Sequence, residues 1–161
     1  MDREFRRITG HIDIQSDIQK VWNAWTTELG AVTFFAPRAK IEAHPGGAYE
    51  LYFNTGAPEG LRGSEGMQVL AVEPGKFLSF TWNAPPHLPT VRGQMTFVEI
   101  HLEELESGIT RVHLQHSGWG NEGEWDSAFA YFERAWLKIV LPRLKFALEQ
   151  GAVDWSNPPA L

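Results

Sequence analysis

The sequence contains no cysteine, and this absence excludes several kinds of site. Without a thiol there is no disulfide, no iron–sulfur cluster, no thiol nucleophile and no zinc site built on cysteine. Basic residues are also few, with 14 Lys and Arg against 20 Asp and Glu and a net charge of −6. Because nucleic-acid binders usually present a basic face to the phosphates, this balance argues against a nucleic-acid partner.

Long apolar segments are missing as well. No run approaches the roughly 20 apolar residues that a membrane-spanning helix needs, and the opening segment MDREFRRITG lacks the apolar stretch of a signal peptide. We therefore expect a cytoplasmic protein with no membrane partner. The 161 residues are rich in rings instead, because 7 Trp and 10 Phe are enough for a thick core or a lined cavity.

The N-terminal part of the chain predicts one strand and two short helices. Residues 4–14 end in an alternation of apolar and polar side chains, which is typical of a strand with one buried face. Ser16 or Asp17 is the expected N-cap of a first helix, which Gly30 interrupts. A second short helix is expected at about 30–35, before a proline.

The rest of the chain predicts strands and then one long helix. Residues 38–118 contain about six further strands separated by turns, and the proline-rich stretch 84–91 is expected to be a loop. Residues 121–150 carry apolar side chains at helical spacing, and Pro142 is expected to kink this helix. Runs of strands with one dominant helix indicate an α+β fold with an antiparallel sheet.

The last two strands fix their own register. A loop of Glu106, Ser107 and Gly108 would pair Leu105 with Ile109. With that register every apolar pair lies on one face of the sheet: Leu102 with Val112, Ile100 with Leu114, and Val98 with His116.

The chain also resembles a known family in several packing and turn motifs. The runs VWNAWTTELGAVTFFAP, PGGAYELYF, VEPGKFLSFTW, GITRVHLQHSGWG and LKFALEQG resemble the activator-of-Hsp90-ATPase homologue (AHSA1-like) group. That group belongs to the START-like (SRPBCC) superfamily with the helix-grip fold. The resemblance implies a curved antiparallel sheet of about seven strands that grips the C-terminal helix, with a mostly apolar cavity between them.

The resemblance sets the expected domain limits. It implies a single START-like domain over 1–151, followed by a proline-rich tail at 152–161 that stays poorly ordered unless Trp155 docks. Pro142 and the loop 84–91 depart from the pattern and are expected to reshape the mouth of the cavity. The motifs are specific for the fold and not for catalysis, so activation of Hsp90 is not carried over.

His116 is the one histidine on the apolar face of its strand. It is either a buried histidine satisfied by a carbonyl, a hydroxyl or water, or a group that orients a ligand, or a general base. His101 and His113 face each other on the opposite side of the sheet, where an exposed cross-strand pair is the interpretation we favour over a divalent metal site. Neither a metal nor a cofactor is therefore expected, and no catalytic residue is assigned.

The rings lead to the functional hypothesis. Apolar pockets with a few polar groups are the usual form of small-molecule sites, and the fold would turn many of these rings inward. The predicted ligand-binding residues are Trp25, Phe35, Tyr49, Leu51, Phe53, Phe80, Trp82, Val98, Ile100, Leu114, His116, Phe129, Phe132 and Trp136.

Three functions stay open at this stage. The first is a domain that binds a hydrophobic or aromatic small molecule between sheet and helix. The second is an enzyme similar to the polyketide cyclases or hydrolases of the superfamily, acting in the same cavity. The third is a stress-related or chaperone-related interaction protein, or a homodimer, because Tyr52, Phe77, Met95 and Phe97 make the outer face of the sheet apolar.

Overall fold

The fold is described from a computed structural model, which places residues 6–159. The first two residues of the strand predicted at 4–14 and the end of the predicted tail lie outside this range. The strands of the described part are β1 Ile8–Ile14, β2 Arg38–Ile41, β3 Tyr49–Tyr52, β4 Val69–Glu73, β5 Phe77–Trp82, β6 Thr96–Glu106 and β7 Ile109–Ser117. The helices are α1 Ile18–Thr26, α2 Glu28–Ala31, α3 Pro89–Arg92, α4 Glu124–Arg134, a π-helical segment Ala135–Val140 and α5 Leu141–Glu149.

The strands form two antiparallel sheets. A five-stranded sheet has the order β1-β7-β6-β5-β4, and β2 pairs with β3 in a small second sheet. Isolated bridges from Ala48 to Gln68 and from Tyr52 to Gly63 connect the segment around β3 to the start of β4. The predicted α+β fold with a long C-terminal helix is confirmed, with its strands divided between these two sheets.

The β6–β7 register is confirmed except at the turn. Leu102 pairs with Val112 and Ile100 pairs with Leu114, as the apolar alternation predicts. The predicted pair of Leu105 with Ile109 is wrong, because Ile109 pairs with Glu106 across a bulge. An extra residue on one strand shortens the turn and lets the exposed Leu105 leave the ladder.

The capping side chains decide where the first two helices begin. Asp17 caps α1, since its carboxylate accepts the backbone N–H of Lys20 at 2.9 Å. Thr27 has extended backbone angles and ends α1, and its hydroxyl then caps α2 by accepting the N–H of Gly30 at 2.9 Å. The second helix therefore begins and ends earlier than the predicted 30–35, because Thr27 and not Gly30 interrupts the first.

The long C-terminal helix changes type before Pro142. The Leu141 N–H bonds to the carbonyl of Trp136, five residues back, so the chain widens into a π-helical turn. Pro142 then occupies the start of α5. Proline has no N–H and its ring clashes with the carbonyl four residues back, and a wider turn relieves both problems. The predicted interruption at Pro142 thus takes the form of a π-helical segment inside a continuous helix.

Two segments predicted as irregular are ordered by specific contacts. The stretch predicted as a loop at 84–91 contains the start of α3, whose backbone N–H groups at Thr90 and Val91 are accepted by the carboxylate of Glu124. The C-terminal segment docks through Trp155, whose indole N–H donates to the carbonyl of Val32 at 2.7 Å. Both contacts are hydrogen bonds between a side chain and a backbone group far away in the sequence. The spacing of apolar residues does not predict such bonds.

Candidate functional site

A cavity of about 350 Å³ lies beside the π-helical segment. The long helix forms one wall, between Tyr131 and Arg143. The ends of β3 and β5 and the loops that follow them form the other. Its lining residues are Phe35, Phe53, Asn54, Leu61, Arg62, Gly63, Trp82, Asn83, Ala84, Pro85, Pro86, Arg92, Tyr131, Phe132, Ala135, Trp136, Ile139, Val140 and Arg143.

The cavity wall contains a group of rings in mutual contact. Phe35 stacks on Trp82 with centroids 5.6 Å apart, and Trp82 lies 5.6 Å from Trp136. Phe35 and Trp136 meet edge to face at 5.7 Å. These are ordinary separations for favourable aromatic pairs, so each ring holds its neighbours and the wall is set before anything binds.

The structure brings only part of the predicted ligand-binding set to this cavity. Phe35, Phe53, Trp82, Phe132 and Trp136 line it. The other predicted residues pack behind the wall or elsewhere in the core and are not among its lining residues: Trp25, Tyr49, Leu51, Phe80, Val98, Ile100, Leu114, His116 and Phe129.

Tyr49 illustrates why these residues lie in the core. Its ring stacks on Phe80 with centroids 4.0 Å apart, and its hydroxyl donates to the carbonyl of Trp25 at 2.8 Å. The side chain is fully buried, and burial raises the pKa of the phenol well above its ordinary value. Its polar atom is already satisfied, so the structure uses Tyr49 to join the sheet to α1.

His116 lies behind the cavity wall and is fully buried. The indole N–H of Trp136 donates to its Nδ1 at 2.9 Å, so Nδ1 is the acceptor and the proton is on Nε2. Nε2 then donates to the Thr96 hydroxyl at 2.6 Å, and that hydroxyl donates to the carbonyl of Trp82 at 3.2 Å. One chain of hydrogen bonds therefore runs from one cavity ring to the backbone of another through a neutral histidine.

Burial decides the charge of His116. Desolvation lowers the pKa of His116 from 6.5 to about 3, because an imidazolium there would lose its hydration. Both ring nitrogens already have partners, as the preceding bonds show. Of the three interpretations of His116, the geometry matches the satisfied buried histidine, which acts as a positioning residue for Trp136.

Two charged residues organise the loops around the cavity, and neither was a candidate in the sequence analysis. Arg92 donates to the carbonyls of Ala84, Gly60 and Gly63, and its guanidinium lies 3.5 Å from the carboxylate of Glu65. Glu65 in turn accepts backbone N–H groups of the loop before it. Burial alone would raise the pKa of Glu65, but these hydrogen bonds outweigh burial and leave the pKa below its ordinary value.

Two further arginines line the cavity, and each has donors that no residue between 6 and 159 accepts. Arg143 is half-buried, and its guanidinium carbon lies 5.5 Å from the ring centre of Trp155. Burial lowers the pKa of Arg143. Arg62 donates through Nε to the carbonyl of Ala57 at 2.9 Å. Both side chains bring positive charge to a wall that is mainly aromatic and aliphatic.

The outer face of the sheet carries the remaining sequence candidates. His101 pairs with His113 as predicted, and His113 bonds to Glu103 at 2.9 Å. Within residues 6–159 no cluster of three or more potential ligands arranged to hold a metal ion is found. Of the four apolar side chains predicted for this face, Met95 and Phe97 are exposed, at 55% and 42% of their full surface. The other two do not extend this patch, because Phe77 is half-buried and Tyr52 is half-buried in the small second sheet.

The family model described as "Activator of Hsp90 ATPase homolog 1-like protein" matches residues 15–149. Solved structures are similar over nearly the whole chain. A dimeric Aha1 from Colwellia psychrerythraea shares 25% identity, with TM-score 0.68 and coverage of 91% of this chain and 98% of its own. CalU16 from Micromonospora echinospora shares 20%, with TM-score 0.65 and coverage of 91% and 76%. An HSP90 activator from Plasmodium falciparum shares 10%, with TM-score 0.66 and coverage of 88% and 95%.

No curated protein matches the sequence, and relatives below 25% identity define the fold alone. None of the helices placed between residues 6 and 159 has the length and apolar character to cross a membrane. The family match covers most of the chain, and the α+β architecture with its long C-terminal helix agrees with it. The chain therefore belongs to the family of activator of Hsp90 ATPase homolog 1-like proteins.

Proposed function

We propose that this protein binds an aromatic or hydrophobic small molecule in the cavity beside the π-helical segment. The observation that carries the proposal is a cavity of about 350 Å³ whose wall includes six aromatic side chains. That volume lies near the lower end of the ~300–1,000 Å³ range of small-molecule pockets. Burial of apolar ligand surface against the rings provides the main gain in binding free energy.

The rigidity of the wall favours binding. Trp136 is fixed by its hydrogen bond to His116, and Trp82 is held between Phe35 and Trp136. A ligand that enters such a wall does not have to order it first, so less binding free energy is lost to conformational entropy. Met95 and Phe97 lie outside this cavity and contribute nothing to its wall.

Among the lining residues that the structure describes there is no Asp, Glu, His, Ser or Thr. The enzymatic alternative needs a proton acceptor within reach of a substrate, and the nearest candidate of the sequence, His116, is satisfied on both nitrogens. The wall offers contacts for holding a molecule, and we therefore place binding before catalysis.

Titration with the neutral fluorescent dye N-phenylnaphthylamine tests this proposal. Ala135→Phe would fill the cavity from the π-helical segment, whereas Ala130→Phe adds the same ring at an exposed position of the same helix. We expect the wild type and Ala130→Phe to bind the dye with the same affinity. The affinity of Ala135→Phe should be lower by a factor of about ten or more. Equal binding by all three proteins would show that the dye uses another surface and would overturn the proposal.

Native mass spectrometry of freshly purified protein gives a second, independent measurement. A small apolar compound that co-purifies with the wild type and is absent from Ala135→Phe would identify both the ligand and its place. Retention of the compound by Ala135→Phe would contradict the assignment of the site.

A second candidate function is self-association through the outer face of β6. The exposure of Met95 and Phe97 favours it, since apolar side chains that reach solvent together often mark contact surfaces. The Aha1 from Colwellia psychrerythraea is itself a dimer. Light scattering coupled to size-exclusion chromatography distinguishes a monomer of 18.2 kDa from a dimer, and Phe97→Lys should dissociate a dimer formed through this face.

A further inference from the structure

The charge of the cavity is opposite to the charge of the protein. The chain carries a net charge of −6. Among the lining residues that the structure describes there are three arginines, Arg62, Arg92 and Arg143, and no acidic side chain. An apolar cavity meant for a neutral hydrocarbon has no need of this charge, because a cation taken out of water without a partner is costly.

Arg92 is accounted for by the fold. Its two terminal nitrogens donate to three backbone carbonyls, and Glu65 neutralises it from 3.5 Å away. These contacts tie the loop at 57–63 to the stretch before α3. Arg92 therefore has a structural partner for its charge and is not available to a ligand in the same way as the other two.

Arg143 has no such partner in the part of the chain that the structure describes. Within residues 6–159 it forms neither a hydrogen bond nor an ion pair, and its guanidinium lies over the face of the Trp155 ring in a cation–π contact. The side chain is half-buried at the start of α5, on the wall next to Val140. A partly desolvated guanidinium with all its donors free is a strong recognition group for a planar anion such as a carboxylate.

Arg62 faces the same space from the opposite loop. Its Nε donates to the carbonyl of Ala57. Its two terminal nitrogens have no hydrogen-bond partner among the described residues. Arg62 and Arg143 thus bring free donors to one cavity from two different elements of the fold.

We propose that the natural ligand of this cavity is an anionic aromatic or apolar molecule, whose ring packs on the aromatic wall and whose negative group binds Arg143 and Arg62. The inference rests on the proposed function, since it names the class of ligand for that same cavity. The anionic group is a carboxylate, sulfonate or phosphate ester, all of which match the guanidinium donors.

Two dyes that differ in one group test the charge directly. Anilinonaphthalene sulfonate carries the same ring system as N-phenylnaphthylamine with a sulfonate added. The variants are Arg143→Met and Arg62→Met, which keep an apolar stem and remove the charge. Arg134→Met is the matched control, because Arg134 is exposed on the same helix and does not line the cavity.

We expect the wild type to bind the sulfonate dye about tenfold more tightly than the neutral dye, as a charge-assisted hydrogen bond predicts. Arg143→Met and Arg62→Met should each lose most of that preference, while their affinity for the neutral dye stays within about twofold. Arg134→Met should keep the preference. Thermal unfolding of each variant shows whether it is folded. If Arg143→Met does not fold, the dye preference of Arg62→Met tests the inference.

The outcomes separate this inference from the proposed function. If the wild type binds both dyes equally, or if the variants weaken both dyes to the same extent, the anionic ligand is refuted and the apolar cavity remains. If the wild type binds neither dye, both proposals fail. Loss of the preference in Arg134→Met as well would show that overall charge and not the cavity arginines attracts the sulfonate, which also refutes the inference.

Discussion

Lowering the pH should destabilise this protein through His116. The buried imidazole is neutral in the folded protein because its pKa is lowered from 6.5 to about 3. In the unfolded chain the same group takes up a proton near its ordinary value. Below pH 6.5 the unfolded state therefore binds more protons than the folded state, and the free energy of unfolding falls as the pH falls.

The magnitude follows from the separation of the two pKa values. His116 contributes its full stabilisation above pH 6.5 and loses about 1.4 kcal/mol for each pH unit below it, until the pH reaches the folded pKa of about 3. Between pH 6.5 and about pH 4.5 the expected loss is about 2.5 kcal/mol. Carboxyl groups with lowered pKa, such as Asp13 and Glu65, lose their stabilisation mainly below that window.

Urea unfolding across this pH range measures the effect, with His116→Gln as the control. Glutamine has one donor and one acceptor for Thr96 and Trp136 but does not titrate. The other histidines are shared by both proteins and cancel in the comparison. The wild type should lose about 2.5 kcal/mol more than the variant between pH 6.5 and about pH 4.5.

Two results would refute this reasoning. Parallel stability curves for the wild type and His116→Gln would mean that His116 is not neutral and buried in the folded protein. Where the variant is too unstable to measure, NMR titration of the His116 imidazole replaces it. A change in its chemical shifts centred near pH 6.5 would contradict the pKa of about 3.

Three further predictions concern side chains that bind backbone. Asp17→Ala should lower the free energy of unfolding by about 1 kcal/mol through loss of the α1 cap, whereas Gln19→Ala, nearby and exposed, should change it little, and equal effects would contradict the cap. Trp155→Ala removes the bond to Val32 and should cost about 1–2 kcal/mol in urea unfolding; no change would mean that the tail does not dock. Glu65→Gln weakens the loop contacts, so it should lower both the melting temperature and the dye affinity. A drop in only one of the two would contradict the dependence of the cavity on this loop.

The elements of the fold were predictable because they depend on periodicity. The alternation in β6 and β7 sets the register, since a shift by one residue would turn Val98 and Leu114 toward solvent. The bulge at Leu105 escaped prediction because this residue is exposed, and an exposed leucine at a turn leaves either pairing open. At an exposed position both possible pairings leave the side chain in solvent, so the apolar pattern does not predict which one forms.

The position of the cavity was not predictable in the same way. The predicted binding residues extend along the whole inner face, but Tyr49, Phe80 and Ile100 pack against the rest of the core. The cavity depends on where the loop at 57–63 stands, and Arg92 and Glu65 fix that loop through bonds to its backbone. A loop position set by such bonds has no periodic signature.

Pro142 explains from the sequence why the long helix is irregular beside the cavity. Its missing N–H favours a wider turn immediately before it, and the π-helical segment is that turn. Ala135, Trp136, Ile139 and Val140 belong to this segment and line the cavity, which places four of its lining residues in the irregular part of the helix. A regular α-helix would rotate the residues before Leu141 relative to those after it, and the aromatic wall and Arg143 would no longer face the same space. Pro142, which was expected to kink an amphipathic helix, is therefore the sequence feature that best marks the candidate site.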